Sequence, residues 1–316
     1  MLSLRPLLAV LGALAAVAAL TGCAASAKAA ARAQGQLLVV TSVYPLQFVA
    51  ERVGGDLVHV VDVARPGAEP HELELKPRDV AAVEDADLVV YLGGFQPAVD
   101  KAVASSAKGH ELDVAPAARL DLAAAEEPTT PGAEHTEHTE HTDATTGADP
   151  HFWLDPTRLA DVADAVARRL GQVAPAHAAA FTASAGALRA ELLDLDADLR
   201  DGLRSCRSRS LVTAHEAFGY LARRYGLQQL GVTGLDPEAE PDAADLASVA
   251  EFVRREKVLT VYTETLASPD IARALAAETG VRTAVLDPVE SRPDGGDYLT
   301  ALRADLVALR QGQGCS

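Results

Sequence analysis

The chain has few cationic residues, few cysteines and no long apolar segment. Its 28 Lys and Arg stand against 45 Asp and Glu, so the formal net charge is −17. A surface of this sign repels nucleic acid and attracts cations, and we expect no nucleic-acid partner. The longest apolar run, residues 7–20, is too short for a stable membrane span. No HExxH pattern occurs, which argues against a zinc hydrolase of that type.

The apolar run near the N-terminus is typical of a signal peptide covering residues 1–22. It ends in Leu20-Thr21-Gly22-Cys23, which resembles the lipobox of bacterial lipoproteins, whose cysteine is acylated and becomes the first mature residue. We therefore expect an extracytoplasmic protein anchored to the membrane through a lipid on Cys23. An ordinary secretion signal is the alternative. The alanine-rich segment 23–36 is predicted to be a flexible tether that spans about 20 Å.

Two further cysteines, Cys206 and Cys315, complete the inventory. Because an exported protein matures in an oxidising compartment, we expect them to form a disulfide. Such a bond would connect the C-terminus to the start of the second half of the chain. A pair of free thiols that bind metal is less favoured, because thiolates oxidise outside the cell and these two have no close-spaced partner.

The same order of strand and helix candidates occurs in both halves of the sequence, which predicts two α/β lobes over residues 37–171 and 206–316. The strand candidate 37–41 and the helix after it have a counterpart that begins at residue 210. Likewise, the apolar run 86–92 matches 258–264. These short β-branched runs are typical of buried parallel strands that alternate with helices.

The region between the predicted lobes contains a long helical pattern. Apolar residues recur at helical spacing from Pro175 to Leu203, which predicts a helix about 40 Å long. We expect residues 172–205 to form a rigid connection that limits rotation of the lobes. Residues 123–149, by contrast, are rich in Gly, Pro and acids without periodicity, and this predicts a disordered loop.

Within that loop, residues 134–142 repeat the triplet Glu-His-Thr three times, which places histidines at His135, His138 and His141. A polar triplet repeat has no apolar face to pack, and imidazole is the commonest metal-binding side chain. The alternative is a solvated acidic loop that happens to contain histidines. We favour weak, auxiliary metal binding by these three residues.

Four residues outside the repeat could form a defined site: His71, His151, His215 and Asp287. Each is predicted just beyond the carboxyl end of a strand or at the entrance of a helix, where open α/β sheets gather their ligands. Taken singly, a histidine is more often a surface or hydrogen-bonded residue, and it is the shared placement that suggests a site. The remaining histidines are interpreted as surface residues: His59, His110 and His177.

Four segments resemble, in order and spacing, the metal-site motifs of the zinc and manganese solute-binding lipoproteins that serve bacterial ABC importers. The segments are 70–77, 149–156, 214–220 and 286–288. The resemblance covers nearly the whole mature chain, including the histidine-rich loop before the second motif. It implies two α/β lobes joined by one long rigid helix, with the metal bound in the cleft between the lobes.

The resemblance implies that His71, His151 and His215 are metal ligands and that Asp287 is the carboxylate. The nearby acids Glu264 and Glu290 are alternatives for the fourth position. In relatives suited to manganese the third ligand resembles a glutamate, so His215 favours zinc over the harder manganese ion. The implied protein is a monomeric carrier with one tight zinc site, which delivers zinc to the permease of an ABC importer.

Other functions remain possible at this stage. A manganese-binding homologue and a metal-dependent surface adhesin would both fit a lipid-anchored protein. An extracellular zinc hydrolase would need an open metal position and a general base such as Glu216 or Glu264. Four protein ligands in a tetrahedron leave no such open position, which favours transport over catalysis, and we expect no enzyme activity.

Overall fold

The structure is a computed structural model and describes residues 27–123, 147–266 and 268–316. The expected signal peptide, Cys23 and the loop histidines His135, His138 and His141 lie outside the described residues. Within the described ranges, no helix combines the length and apolar character needed to cross a membrane.

A four-stranded parallel sheet forms the N-terminal lobe. Its strands are β1 (Leu37–Thr41), β2 (Val58–Asp62), β3 (Leu88–Tyr91) and β4 (Glu111–Asp113). They lie in the order β2-β1-β3-β4. Leu38 and Val40 pack into an apolar cluster on one face, and Val39 packs into a second cluster on the other. Burial on both faces explains why β1 is a continuous apolar run and not an alternating one.

Helices cover both faces of this sheet. They are α1 (Ala27–Ala33), α2 (Tyr44–Gly54), α3 (Pro77–Asp85), α4 (Pro97–Ser106) and α5 (Ala115–Ala118). Each helix from α2 to α5 carries a proline in its first turn, where the missing N–H removes no intrahelical hydrogen bond. The sequence therefore marks the start of four helices directly.

The helix α1 lies within the segment that was predicted to be a flexible tether. Its Ala31 is fully buried in an apolar cluster of the lobe, and Lys28 Nζ lies 3.2 Å from Asp87 Oδ1. The prediction of flexible coil from residue 23 to 36 is therefore wrong over α1. The alanine-rich composition that suggested a linker also has the highest helix propensity, and only tertiary packing distinguishes the two.

Two antiparallel helices follow the N-terminal sheet, α6 (Pro156–Val173) and α7 (Ala178–Leu203), with a short 3-10 turn between them at Pro175–His177. Asp155 caps α6, since its side chain accepts a hydrogen bond from Thr157 N. The 26 residues of α7 span about 39 Å. Its buried stripe packs on α6, and the same helix contacts α2 and the last helix of the chain. It thus joins both lobes along its length.

The C-terminal lobe repeats the N-terminal plan. Its strands are β5 (Ser210–Thr213), β6 (Gln228–Gly231), β7 (Thr260–Glu264) and β8 (Arg282–Leu286), and its helices are α8 (Gly219–Tyr225), α9 (Ala243–Arg255), α10 (Asp270–Thr279) and α11 (Tyr298–Gln313). The parallel order β6-β5-β7-β8 corresponds strand for strand to the order of the first sheet. The predicted architecture of two α/β lobes joined by a long helix is confirmed.

Cys206 and Cys315 form a disulfide, as predicted. The bond joins the segment that leads into β5 to the second residue after α11, and 109 positions separate the two cysteines. Backbone hydrogen bonds on either side strengthen the connection: Arg207 N donates to Gln313 O and Ser316 N donates to Ser205 O. The C-terminus is thus fixed to the start of the second lobe.

Replacement of both Cys206 and Cys315 with serine should lower the free energy of unfolding by about 4 kcal/mol. The reason is that the bond restricts a long loop of the unfolded chain, whose conformational entropy rises when the bond is absent. Urea unfolding of the variant, compared with oxidised and fully reduced wild type, measures the effect. Reduced wild type should match the variant, and equal midpoints for oxidised protein and variant would contradict the expectation.

Candidate metal centre

Three histidines and one glutamate from distant parts of the chain meet in the cleft between the lobes. His71 lies in the loop after β2, and His151 directly precedes the 3-10 turn that leads into α6. His215 lies two residues after β5, and Glu290 lies four residues after β8. The carboxyl ends of parallel strands share one edge of each sheet, and this explains why these loops converge.

One carboxylate oxygen faces all three imidazoles. Glu290 Oε1 lies 2.9 Å from His151 Nε2, 3.3 Å from His71 Nε2 and 3.6 Å from His215 Nε2. His71 Nε2 and His151 Nε2 are 3.2 Å apart, and one donor atom from each of the four residues lies within 4.8 Å of all the others. The Nε2 atoms thus surround a common point together with the carboxylate.

These separations match those required by a tetrahedral zinc site. Ligand atoms about 2.0 to 2.1 Å from a tetrahedral ion lie about 3.3 Å from one another. Four of the six separations, from 2.9 to 3.6 Å, span that value, and all six are within 4.8 Å. His215 Nε2 is also buried and has no hydrogen-bond partner within the described chain, although a buried polar atom normally has one. The donor set therefore fits a metal ion.

Solvent reaches the group from the side of His71. Residues His151, His215 and Glu290 are at most 2 % exposed, whereas the side chain of His71 is 13 % exposed. A cleft of about 240 Å³ opens beside His71, and Phe95 and Asp236 line it from the two lobes. An ion would enter through this cleft and meet His71 first.

Two buried carboxylates contact the Nδ1 atoms of His151 and His215 and so orient these two imidazoles. Asp149 Oδ1 lies 2.8 Å from His151 Nδ1 and also accepts a hydrogen bond from His151 N. Glu264 Oε2 contacts His215 Nδ1, and its Oε1 accepts from His215 N. A carboxylate on Nδ1 fixes the tautomer in which Nε2 can bind metal, and it increases the basicity of the imidazole.

The charges of the site are strongly coupled. Burial opposes ionisation of Glu290, but the adjacent imidazoles of His151, His215 and His71 hold the pKa of its carboxyl well below the usual range. Burial alone would lower the pKa of His215, yet the adjacent carboxylates of Glu264 and Glu290 raise it to about 10. The pKa of His151 is raised for the same reason, with Asp149 as its main partner. Among the three histidines, only His71, where burial dominates, has a lowered pKa.

Asp287 does not belong to the group, although it was the expected carboxylate. Its Oδ1 accepts hydrogen bonds from Val289 N, at 2.8 Å, and from Thr265 Oγ1, at 3.2 Å. The side chain is therefore used in a local turn directly after β8, and Glu290 occupies the place expected for Asp287. An Asp side chain that accepts a hydrogen bond from the backbone N–H two residues later is a common turn pattern. This preference of Asp for turns is the sequence signal that could have indicated a structural role for Asp287.

Glu264 and Trp153 lie next to the group. Glu264, the alternative ligand, faces the Nδ1 side of His215. Trp153 is fully buried, 5.3 Å between ring centroids from His151, and its Nε1 donates to Pro288 O. His59, His110 and His177 are outside the group.

Two α/β lobes with a buried cluster of three imidazoles and one carboxylate between them are the arrangement expected of a metal-binding solute-binding protein. Residues 39–312 match the family model described as zinc-uptake complex component A, periplasmic (ZnuA). The chain belongs to the ZnuA family, which confirms the resemblance to the zinc-type solute-binding lipoproteins. The family name describes a component that acts outside the cytoplasm, in transport.

Individual relatives are similar over most of the chain. It is 33% identical over 293 residues to the high-affinity zinc uptake system protein ZnuA of Bacillus subtilis, covering 90% of both chains. It is 34% identical over 286 residues to the zinc-binding lipoprotein AdcA of Streptococcus pneumoniae. That match covers 89% of this chain but only 56% of AdcA, so the chain spans little more than half the length of that relative.

A solved structure supports the same fold. The Zn(II)-bound ZnuA-like domain of S. pneumoniae AdcA is 32% identical and superposes with a TM-score of 0.70. The match covers 88% of this chain and 99% of that domain.

Proposed function

We propose that this protein captures zinc outside the cytoplasm and delivers it to an ABC-type importer. The observation that carries the proposal is the convergence of three Nε2 atoms and one carboxylate oxygen in a buried group. We infer that His71, His151, His215 and Glu290 are the ligands, with Glu290 in the role first expected of Asp287. The names of the relatives, a zinc uptake protein and a zinc-binding lipoprotein, favour the same cargo.

The donor set favours zinc over manganese. Zinc accepts imidazole nitrogens in a four-coordinate tetrahedron, whereas manganese prefers oxygen ligands and a higher coordination number. Three nitrogens and one carboxylate at the observed separations suit zinc, and they provide too few oxygens for manganese.

The same set argues for transport and against hydrolysis. Four protein ligands complete the tetrahedron, so no position remains for the water that a zinc hydrolase activates. Glu264, which could have served as a general base, is engaged with His215 Nδ1. We therefore propose a binding protein without enzyme activity.

The remaining parts of the proposal concern attachment and partners. A lipid on Cys23 would keep the protein at the outer face of the membrane, close to the permease of its importer. The loop histidines His135, His138 and His141 would bind zinc weakly and raise its local concentration. We propose that the protein works as a monomer, since one chain supplies the complete ligand set.

Elemental analysis of protein purified without added metal tests the cargo. We expect about one zinc per chain and little manganese, because the donor set matches the coordination preference of zinc. Competition binding with both ions then gives the selectivity, and the variant His151→Ala serves as the control with a damaged site. Retention of manganese in the presence of equal zinc would contradict the assignment.

A further inference from the structure

Three successive residues in the loop between β8 and α11 contact the opposite lobe. Glu290 faces the histidines of the metal centre. Ser291 Oγ accepts a hydrogen bond of 2.7 Å from Gly67 N, in the loop that carries His71. Arg292 Nη2 donates to both carboxylate oxygens of Glu51 on α2, at 2.7 and 2.8 Å. A ligand that belongs to the C-terminal lobe by sequence is thus held by the N-terminal lobe.

Arg292 makes a second contact with the same helix. Its guanidinium lies over the ring of Tyr44, with 5.3 Å between Cζ and the ring centroid. A cation over an aromatic face adds to the attraction of the ion pair. Glu51 and Tyr44 both belong to α2, so one rigid element provides both contacts. We call the contacts of Arg292 with Glu51 and Tyr44, together with that of Ser291 with Gly67, the clasp.

The backbone next to Glu290 is strained. Val289 has a φ of +57°, in the left-handed region that β-branched residues rarely adopt. Such a conformation persists only where surrounding contacts hold it in place. On one side of Val289, Trp153 Nε1 donates to Pro288 O, and on the other side lies the clasp. Loss of the clasp would allow this segment to relax and Glu290 to leave the imidazoles.

We propose that Arg292 is a positioning residue for the metal centre: its contacts with Glu51 and Tyr44 keep Glu290 among the three histidines, and opening of the clasp governs metal release. This inference rests on the proposed zinc site. The side chains of Arg292 and Glu51 are each 40% exposed, so their pair can open without unfolding of either lobe. The hydrogen bond of Trp153, in contrast, is buried and remains in place.

Zinc transfer to a chromophoric chelator and amide hydrogen exchange of the metal-free protein test this role together. Arg292→Ala should release zinc about fivefold faster than wild type, as expected for a partly exposed ion pair with an added aromatic contact. Amides of residues 289–292 should also exchange faster. The double variant Glu51→Arg with Arg292→Glu should return both measurements towards wild type, because it restores the pair with reversed charges.

Arg254→Ala is the matched control. Arg254 Nη2 lies 2.7 Å from Glu278 Oε1, a similarly exposed pair that lies entirely within the C-terminal lobe. This variant should leave zinc release and the exchange of residues 289–292 unchanged. A wild-type release rate in Arg292→Ala, or equal acceleration in both variants, would overturn the clasp while the zinc site stands. If wild type binds no zinc, the proposed function fails, and hydrogen exchange still decides whether the clasp holds the loop.

Discussion

Replacement of His215 with alanine is expected to weaken zinc binding by about two to three orders of magnitude. Loss of a residue that only orients a ligand costs about 10- to 100-fold in metal affinity, and loss of the ligand itself should cost more. His215 is buried and its Nε2 has no hydrogen-bond partner in the described chain, so this atom is available to a metal ion. Calorimetric titration with a competing chelator measures the change.

Two controls separate the buried centre from the histidine-rich loop. Deletion of residues 134–142 removes His135, His138 and His141 and should leave the tight site intact, with loss of weak binding only. His110→Ala removes a histidine whose Nε2 lies 3.3 Å from Val83 O, outside the group, and should not change the affinity. If the loop deletion abolished tight binding and His215→Ala did not, the assignment of roles would be reversed.

Zinc binding at pH 7 is expected to release about one proton or more per ion. In the metal-free protein the pKa of His215 is raised to about 10, so its imidazole is protonated at pH 7. Zinc needs the unprotonated Nε2 and must displace that proton. Apparent affinity should therefore rise with pH, by about tenfold per unit for each proton displaced, until pH approaches 10. Glu290 stays ionised over this range, because its pKa is lowered.

Calorimetry in buffers with different enthalpies of ionisation counts the released protons. The variant Glu264→Gln tests whether Glu264 causes the raised pKa of His215. Without this carboxylate the pKa of His215 should fall, and fewer protons should be released at pH 7. Zinc affinity should also decrease about 10- to 100-fold, because the orientation of the ring is lost. A wild-type proton count of zero at pH 7 would refute this account.

The raised pKa of His215 makes the stability of the metal-free protein depend on pH in the opposite sense to zinc affinity. Since the folded-state pKa of His215 lies above that of an exposed histidine, about 6.5, the protonated pair with Glu264 stabilises the fold fully below that pH. This stabilisation is lost as the pH rises towards 10. Acid therefore weakens zinc binding while it preserves the contribution of this pair to the metal-free fold.

Much of the fold could be predicted because its signals are local. The run 37–41 is apolar throughout, since β1 is buried on both faces, and the stripe on α7 has the spacing of a helix. The repeat of strand and helix predicted two lobes. The short helix α1 was missed because an alanine-rich segment is equally typical of a linker, and only its contact with the lobe settles the matter.

The candidate site was predictable in part for the same reason. His151 lies at a helix entrance and His215 just after a strand, whereas His71 lies within the loop after β2. The structure brings all three together. The carboxylate could not be chosen this way, because Asp287 and Glu290 are in one loop after β8. The turn at Val289 and the contacts of Ser291 and Arg292 with the other lobe determine which of them faces the histidines.

By itself, the sequence determined the lobes, the long helix between them, the disulfide partners and the three histidines, because each follows from local periodicity, composition or motif. Tertiary structure alone decided that Glu290 joins those histidines and that Asp287 turns away. The physical reason is distance along the chain: Glu290 is 139 residues from His151 and 219 from His71, so its orientation depends on packing between lobes and leaves no local pattern.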